Sequence, residues 1–150
     1  MAMNFNQYAS EGNAFLKDYA REMDLEGDPA KAARILTAIL HALRELITPE
    51  ESVQLIAQFP MFLKAVYVNG WKLKKQKPRV KKLNEFIALV RKLVGSSADA
   101  DFEYKDEVAE QYIDATLIYL RKYVSHGEME DIRGILPTDL KGLIHTKLTF

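Results

Sequence analysis

The 150-residue sequence predicts an all-α fold, in which two similar units of about three to four helices each pack into one compact bundle. Three observations predict it. Apolar residues recur at steps of three and four along most of the chain, as they do on the buried face of a helix. No stretch alternates apolar and polar residues between hairpin turns, as a half-buried strand would. The second half also repeats the order of helix caps and proline corners found in the first.

Composition places the chain among globular proteins and excludes several kinds of site. Hydrophobic residues make up 48% and charged residues 28% of the sequence, a normal mixture for a chain that buries a core unaided. The absence of cysteine excludes disulfides and thiolate zinc sites. No apolar run approaches the ~20 residues of a membrane-spanning helix, and residues 1–5 lack the pattern of a secretory signal. We therefore expect a cytoplasmic protein that makes no contact with a membrane.

The first half begins with an amphipathic helix and a turn. Asn4 is placed to cap this helix. Gly27 suits the end of this helix, and Asp28 suits the N-cap of the next one. Pro29 suits the first turn of that second helix, where the N–H that proline lacks is not needed. We expect the second helix over residues 30–47. Its predicted core face comprises Ala32, Ile35, Leu36, Ile39, Leu40, Leu43, Leu46 and Ile47.

A capping box and a proline corner shape the rest of the first half. Thr48 and Glu51 have the spacing at which each side chain bonds to the other's backbone N–H. A third helix is expected over residues 49–58. Pro60 disfavours helical backbone at the residue before it, so a corner separates this helix from a short fourth one. The predicted apolar positions of the third helix are Val53, Leu55, Ile56 and Phe59.

The second half shows the same order of signals. Apolar stripes predict one helix over residues 83–94 and a long helix over 108–124, with a loop between them. Ser125 and Glu128 form a second capping box, which opens a short helix. Pro137 marks a second corner before a last short helix.

A shift of 77 residues overlays the two halves. Both capping boxes and both proline corners then coincide, with Glu51 falling on Glu128 and Pro60 on Pro137. Neither half has much core alone, so we expect the two to pack against each other. The predicted organisation is a single domain over 1–150, an internal repeat of 5–70 and 79–145, and a joining basic bridge over 71–82.

The bridge concentrates positive charge in a chain whose formal net charge is zero. Residues 72–92 contain nine basic residues and one acidic residue. The cations suit phosphate contacts, and Trp71, the only tryptophan, suits stacking on a base. The other interpretation is a solvated linker, with Trp71 anchored in the core. The predicted anion-binding residues are Trp71, Lys72, Lys74, Lys75, Lys77, Arg79, Lys81 and Lys82.

The sequence predicts no catalytic, cofactor-binding or metal-binding residue. The three histidines are far apart and lack metal-ligand spacing. There is no phosphate loop, nucleophile elbow or ordered Ser/His/Asp set. Glu107, Glu110 and Asp114 share one side of the long second-half helix, opposite its apolar stripe, and we interpret them as a solvated face.

The order of several short motifs resembles a bacterial family known only as domain of unknown function 2267. The motifs are Phe5–Tyr8, Ala33–Leu36, Ala42–Arg44, Pro49–Glu51, Gln58–Met61, Gly70–Trp71, Gly127–Glu128, Asp131–Ile132 and Leu136–Pro137. The resemblance spans nearly the whole chain and implies a soluble helical protein without an assigned activity. It carries no functional residue over to this sequence.

Three functional hypotheses follow. The first is a non-enzymatic module that binds a protein partner or assembles with itself, because one small core is not expected to cover Phe62, Tyr67 and Tyr119. The second is an anion- or nucleic-acid-binding protein that uses residues 72–82. Zero net charge and the lack of a known nucleic-acid motif count against nucleic acid. The third is an enzyme with a pocket between the repeats, since dispersed catalytic residues leave no short motif.

Overall fold

The structure is a computed structural model that describes residues 4–73 and 76–146 of the chain. Within these ranges every regular element is a helix, which confirms the predicted all-α fold. None of these helices is both long enough and apolar enough to span a membrane. The α-helices are α1 (Phe5–Glu22), α2 (Pro29–Leu46), α3 (Pro49–Ala57), α4 (Met61–Val68), α5 (Leu83–Val94), α6 (Ala98–Asp101), α7 (Asp106–Tyr119) and α8 (His126–Ile135). Short 3-10 helices span Leu120–Lys122 and Thr138–Leu143.

Side-chain caps begin four of these helices at the predicted residues. Asn4 caps α1 by accepting hydrogen bonds from two backbone N–H groups at 3.1 and 3.4 Å. Asp28 caps α2 with one such bond at 3.1 Å. Thr48 and Ser125 cap α3 and α8 in the same way. Each cap satisfies a backbone donor that the helix itself leaves unpaired, a contribution of about 0.5–2 kcal/mol.

The end of α1 differs from the prediction. The helix stops at Glu22, and the residue that takes the left-handed backbone conformation is Asp24, with φ of 59°. Gly27 does not have positive φ and therefore does not terminate the helix. Asp can occupy the left-handed region because its short polar side chain bonds locally, so the glycine signal was misleading here.

The buried face of α3 and the long loop of the second half also differ. Val53 is 57% exposed, and Ser52 is fully buried in its place. The hydroxyl of Ser52 can be buried because it lies 2.6 Å from the hydroxyl of Tyr67, and the two form a hydrogen bond. In the second half, the segment predicted as a loop contains the single turn α6.

Helix α2 lies at the centre of the molecule. It contacts α1, α4, α5 and α7, and buried residues cover most of its circumference, except the face of Arg34 and His41. A helix that is apolar on most sides must be surrounded in this way, because its exposed faces would otherwise leave apolar area in water. The buried set extends without a break from α1 to the residues after α8, so both sides of the bridge contribute to one hydrophobic core.

Several polar contacts tie the first half of the chain to the second, among them the pairs Tyr19–Thr116 and Arg34–Asp101. The hydroxyls of Tyr19 in α1 and Thr116 in α7 are both buried and lie 2.7 Å apart. The guanidinium of Arg34 donates two hydrogen bonds, at 2.9 and 3.0 Å, to the carboxylate of Asp101. Such pairs favour one relative position of the two halves, because a buried polar group left without its partner would lower the free energy of unfolding.

Candidate functional site

Trp71, at the start of the bridge, is anchored in the first half. Its indole is half-buried and meets the fully buried ring of Tyr67 edge-on, with ring centroids 5.9 Å apart and an interplanar angle of 85°. Edge-to-face packing of this kind stabilises an aromatic pair. The cleft beside the indole has a volume of only about 20 Å³, room for little more than one water molecule. One side of the indole is therefore fixed by packing against Tyr67.

The cations of the bridge that the structure describes are all exposed: Lys72, Lys77, Arg79, Lys81 and Lys82. Lys74 and Lys75 lie outside the described residues. Lys77 donates a hydrogen bond to the carbonyl of Ile47, just after α2, where the helix dipole favours positive charge. None of these five side chains forms an ion pair with a residue in the described ranges. The described part of the predicted anion-binding surface is thus a run of exposed cations that form no ion pair within the described residues.

The capping boxes place two glutamates at equivalent positions of α3 and α8. The backbone N–H of Glu51 donates to the Thr48 hydroxyl, and that of Glu128 donates to the Ser125 hydroxyl, each at 3.1 Å. The predicted returning bonds are not formed among the described residues. The backbone N–H of Ser125 donates instead to Oε1 of Gln58 at 2.7 Å. The glutamate side chains are consequently free to turn towards another partner.

The two glutamate carboxylates meet where α3 contacts α8. Together with Asp131, one turn after Glu128, they form a cluster in which one oxygen of each carboxylate lies within 4.8 Å of the others. Glu128 is only 5% exposed, whereas Asp131 is at the surface. The Oε2 atoms of Glu51 and Glu128 are buried and have no hydrogen-bond partner in the described part of the chain. This acid cluster therefore has a buried inner side and an exposed outer side.

The surroundings of the acid cluster disfavour the ionised form of its carboxyl groups. Burial, followed by the hydrogen bond and the charge of the Glu51 carboxyl, raises the pKa of Glu128 to about 8, and the charge of Asp131 acts in the same direction. Burial is also the main cause that raises the pKa of Tyr67, and the charge of Glu128 adds to it. Two carboxylates this close cannot both be ionised without a counter-charge. The two glutamates are therefore stable side by side only when a proton or another positive charge lies between them.

Sequence reasoning missed this cluster because each glutamate already had a local explanation as a member of a capping box. The two residues are 77 positions apart, and only the contact between α3 and α8 unites them. One signal was available. The predicted repeat overlays Glu51 on Glu128, and residues near a two-fold axis meet their own counterparts.

Three aromatic residues expected to be exposed are covered. Tyr67 is fully buried and Tyr119 is 4% exposed, with its hydroxyl donating to Asp18 at 2.6 Å. Phe62 is half-buried, and its ring centroid lies 4.9 Å from that of Phe15. Gly12 allows this approach, since a Cβ atom there would lie 3.2 Å from the Cβ of Phe62.

The exposed aromatic surface lies instead at the start of α1. Residues 5–11 are all exposed, so the first two turns of the helix are not covered by the rest of the bundle. Phe5 is 70% exposed and Tyr8 is 39% exposed, with ring centroids 6.3 Å apart. We call this pair of rings the amino-terminal aromatic patch.

A family model described as an uncharacterized conserved protein, DUF2267, matches residues 12–143. The chain belongs to this family. The match confirms the resemblance carried by the sequence motifs. All three residues of the acid cluster and the whole bridge lie inside the range matched to DUF2267, whereas Phe5 and Tyr8 lie outside it. No curated protein matches the chain.

Proposed function

We propose that this DUF2267 protein is a non-enzymatic helical module that associates with a second copy of itself through the amino-terminal aromatic patch. The observation that supports the proposal is the exposure of Phe5 and Tyr8 on a helix end that no other element of the described residues covers. Aromatic residues are enriched at the centres of protein interfaces, because they bury a large area at little conformational cost.

The charge around the patch favours a second copy as the partner. Residues 4–10 contain no charged side chain, and the whole chain has a formal net charge of zero. Two copies can therefore bring these helix ends together without like-charge repulsion. A two-fold arrangement would place the same patch on both sides of the contact, as in most homodimers.

The size of the patch sets the expected strength of self-association. Two turns of one helix per protomer bury less than the roughly 1,200 Å² typical of stable complexes. We therefore expect a weak dimer of the transient class, which forms and dissociates as concentration changes.

Sedimentation velocity over a concentration series tests this proposal. The wild-type chain should change from monomer to dimer, and the Phe5→Gln/Tyr8→Gln double variant should remain monomeric. Val53→Gln serves as the matched control, because Val53 is an apolar side chain of similar exposure on another helix. A wild-type protein that is monomeric at every concentration, or a double variant that dimerises equally well, would overturn the proposal.

A second candidate function is anion binding by the bridge. It is favoured by the exposed side chains of Lys72, Arg79 and Lys82, none of which has an ion-pair partner among the described residues. Unneutralised cations in a short segment attract phosphates, and release of counterions makes such binding steeply dependent on salt. Trp71 is the only tryptophan, so its fluorescence reports directly on the bridge.

Titration with a single-stranded oligonucleotide at low salt tests the anion-binding function. Binding should perturb the emission of Trp71 and weaken as salt is raised. The variant Lys72→Glu/Arg79→Glu/Lys82→Glu should lose it. Lys17→Glu/Lys105→Glu/Arg133→Glu changes the net charge equally at exposed positions elsewhere and should retain it. Absence of binding at low salt would rule this function out.

A further inference from the structure

We infer that Glu51, Glu128 and Asp131 form a binding site for one oxygen-liganded divalent cation at the contact between α3 and α8. The site is independent of the amino-terminal aromatic patch and of the bridge, so it adds a property beyond both proposed functions.

The first support is geometric. One oxygen from each of the three carboxylates lies within 4.8 Å of the others. Oxygens bound to one cation at 2.0–2.6 Å lie no more than about 5 Å apart, even on opposite sides of the ion. The three side chains can therefore reach one ion without a change in the packing of the helices.

The second support is the state of the buried side chain. Glu128 is 5% exposed, it points into the acid cluster, and its Oε2 atom has no hydrogen-bond donor among the described residues. The Oε2 atom of Glu51 is buried and unpartnered in the same way. Buried carboxylate oxygens are almost always satisfied by a donor or a metal ion, because leaving them bare is costly. Two such atoms in one place indicate a missing positive partner.

The third support is the absence of neutralisation by the chain itself. None of the three acids forms an ion pair with a residue in ranges 4–73 and 76–146. When all three are ionised, the acid cluster carries a charge of −3. A divalent cation would reduce this to −1 and would take up the lone pairs of the inner oxygens.

The donor set selects the class of cation. All three donors are carboxylates, with no histidine in the cluster and no cysteine in the chain. Hard oxygen donors favour Mg²⁺, Mn²⁺ or Ca²⁺ over Zn²⁺ or copper. Asp131 is exposed, so water can complete the coordination shell on the outer side. A site with three protein ligands, and with water on its remaining side, is expected to exchange its ion readily and not to enclose it tightly.

Calorimetric titration of the chelator-treated full-length chain with Mn²⁺ tests the site. The wild type should bind about one ion, competed by Mg²⁺ or Ca²⁺, and Glu128→Gln should weaken binding at least about tenfold. Asp131→Asn should weaken it as well. Glu130→Gln is the matched control, because Glu130 is an exposed acid on the same helix whose ion pair is with His126, and it should bind as the wild type does.

Thermal unfolding separates loss of the site from loss of the fold. The cation should raise the melting temperature of the wild type and of Glu130→Gln, but not that of Glu128→Gln, because a ligand that binds only the folded state stabilises it. The inference is overturned if the wild type shows no saturable binding. It is equally overturned if folded Glu128→Gln binds Mn²⁺ with wild-type affinity, since the ion then sits elsewhere. Neither result depends on whether the protein dimerises.

Discussion

The carboxylates of Glu51 and Glu128 face each other across the contact between α3 and α8, and each has a buried oxygen without a hydrogen-bond partner among the described residues. Both residues occupy the same position relative to their helix caps. The pair thus joins the two halves of the chain through a contact that repels when both groups are charged. A proton or a cation is needed to make the contact favourable.

The first prediction concerns the stability of the metal-free protein with pH. The pKa of Glu128 is raised to about 8 in the folded state, above its ordinary value of 4.5. The unfolded chain therefore releases this proton first, and the wild type loses stability as pH rises from about 4.5 to 8. Glu128→Gln removes the titration and should increase the free energy of unfolding at pH 8–9 by about 1–3 kcal/mol.

Urea denaturation in the presence of a chelator measures this difference. At pH 4.5 the variant and the wild type should have nearly equal stability, because the wild-type glutamate is then protonated. Glu130→Gln should show no comparable gain at high pH. If Glu128→Gln destabilises the protein at pH 9, the carboxylates do not repel each other as described.

The second prediction concerns the ion pair of Arg34 and Asp101. Hydrogen bonds from Arg34 are the first cause that holds the pKa of Asp101 below its usual value. The pair therefore stabilises the fold above the unfolded pKa of about 3.8, and this stability is lost as pH falls below that value. Arg34→Gln should lower the free energy of unfolding at pH 7 by roughly 1–2 kcal/mol.

Denaturation curves at pH 7 and pH 3 test whether the stability that the ion pair contributes falls with pH. The difference between Arg34→Gln and the wild type should shrink at pH 3, because the unfolded chain takes up a proton at Asp101 below its ordinary pKa of about 3.8. Arg21→Gln is the control, since Arg21 pairs with Asp18 at the exposed surface. An unchanged difference at pH 3 would show that Arg34 acts through packing and not through charge.

The third prediction concerns the buried guanidinium of Arg44. Its Nη1 donates to the carbonyl of Tyr67 at 2.5 Å and to that of Asn69 at 2.8 Å, at the carboxyl end of α4. Arg44→Met leaves these carbonyls unpaired and should cost about 1.5–3 kcal/mol of stability. Equilibrium unfolding measures the loss, and a change below 0.5 kcal/mol, typical of surface positions, would contradict this role.

The fourth prediction is a double-mutant cycle between the two halves. Thr116→Val leaves the buried hydroxyl of Tyr19 without its partner at 2.7 Å and should destabilise the fold by about 1–3 kcal/mol. Adding Tyr19→Phe removes the unpaired hydroxyl and should restore part of that stability. Additive effects of the two changes would indicate that the hydroxyls do not interact.

The starts of four helices were predictable from sequence because a cap depends on local chemistry. Asn4, Asp28, Thr48 and Ser125 cap helices where the sequence indicates, since a cap needs only a side chain and a nearby N–H group. The equivalence of the two complete units stays a prediction, although α3 and α8 begin 77 residues apart.

Burial of polar groups was not predictable in the same way. Arg44 and Ser52 are buried because both form hydrogen bonds with Tyr67 in the distant helix α4, and neither has a signal in its own neighbourhood. The acid cluster depends likewise on two helices far apart in sequence. Periodicity identifies which face of a helix is apolar, but it does not show which polar side chain finds a partner inside.

The most direct test of the acid cluster is the pKa of Glu128, measured by ¹³C NMR of the side-chain carboxyl in chelator-treated protein. The resonance can be assigned by its absence in Glu128→Gln. We expect a midpoint of about 8, because the carboxyl is buried against Glu51 and forms no ion pair with a cation in residues 4–73 and 76–146. A midpoint near the ordinary value of 4.5 would show that the two carboxylates are apart or solvated, and would contradict the acid cluster as described.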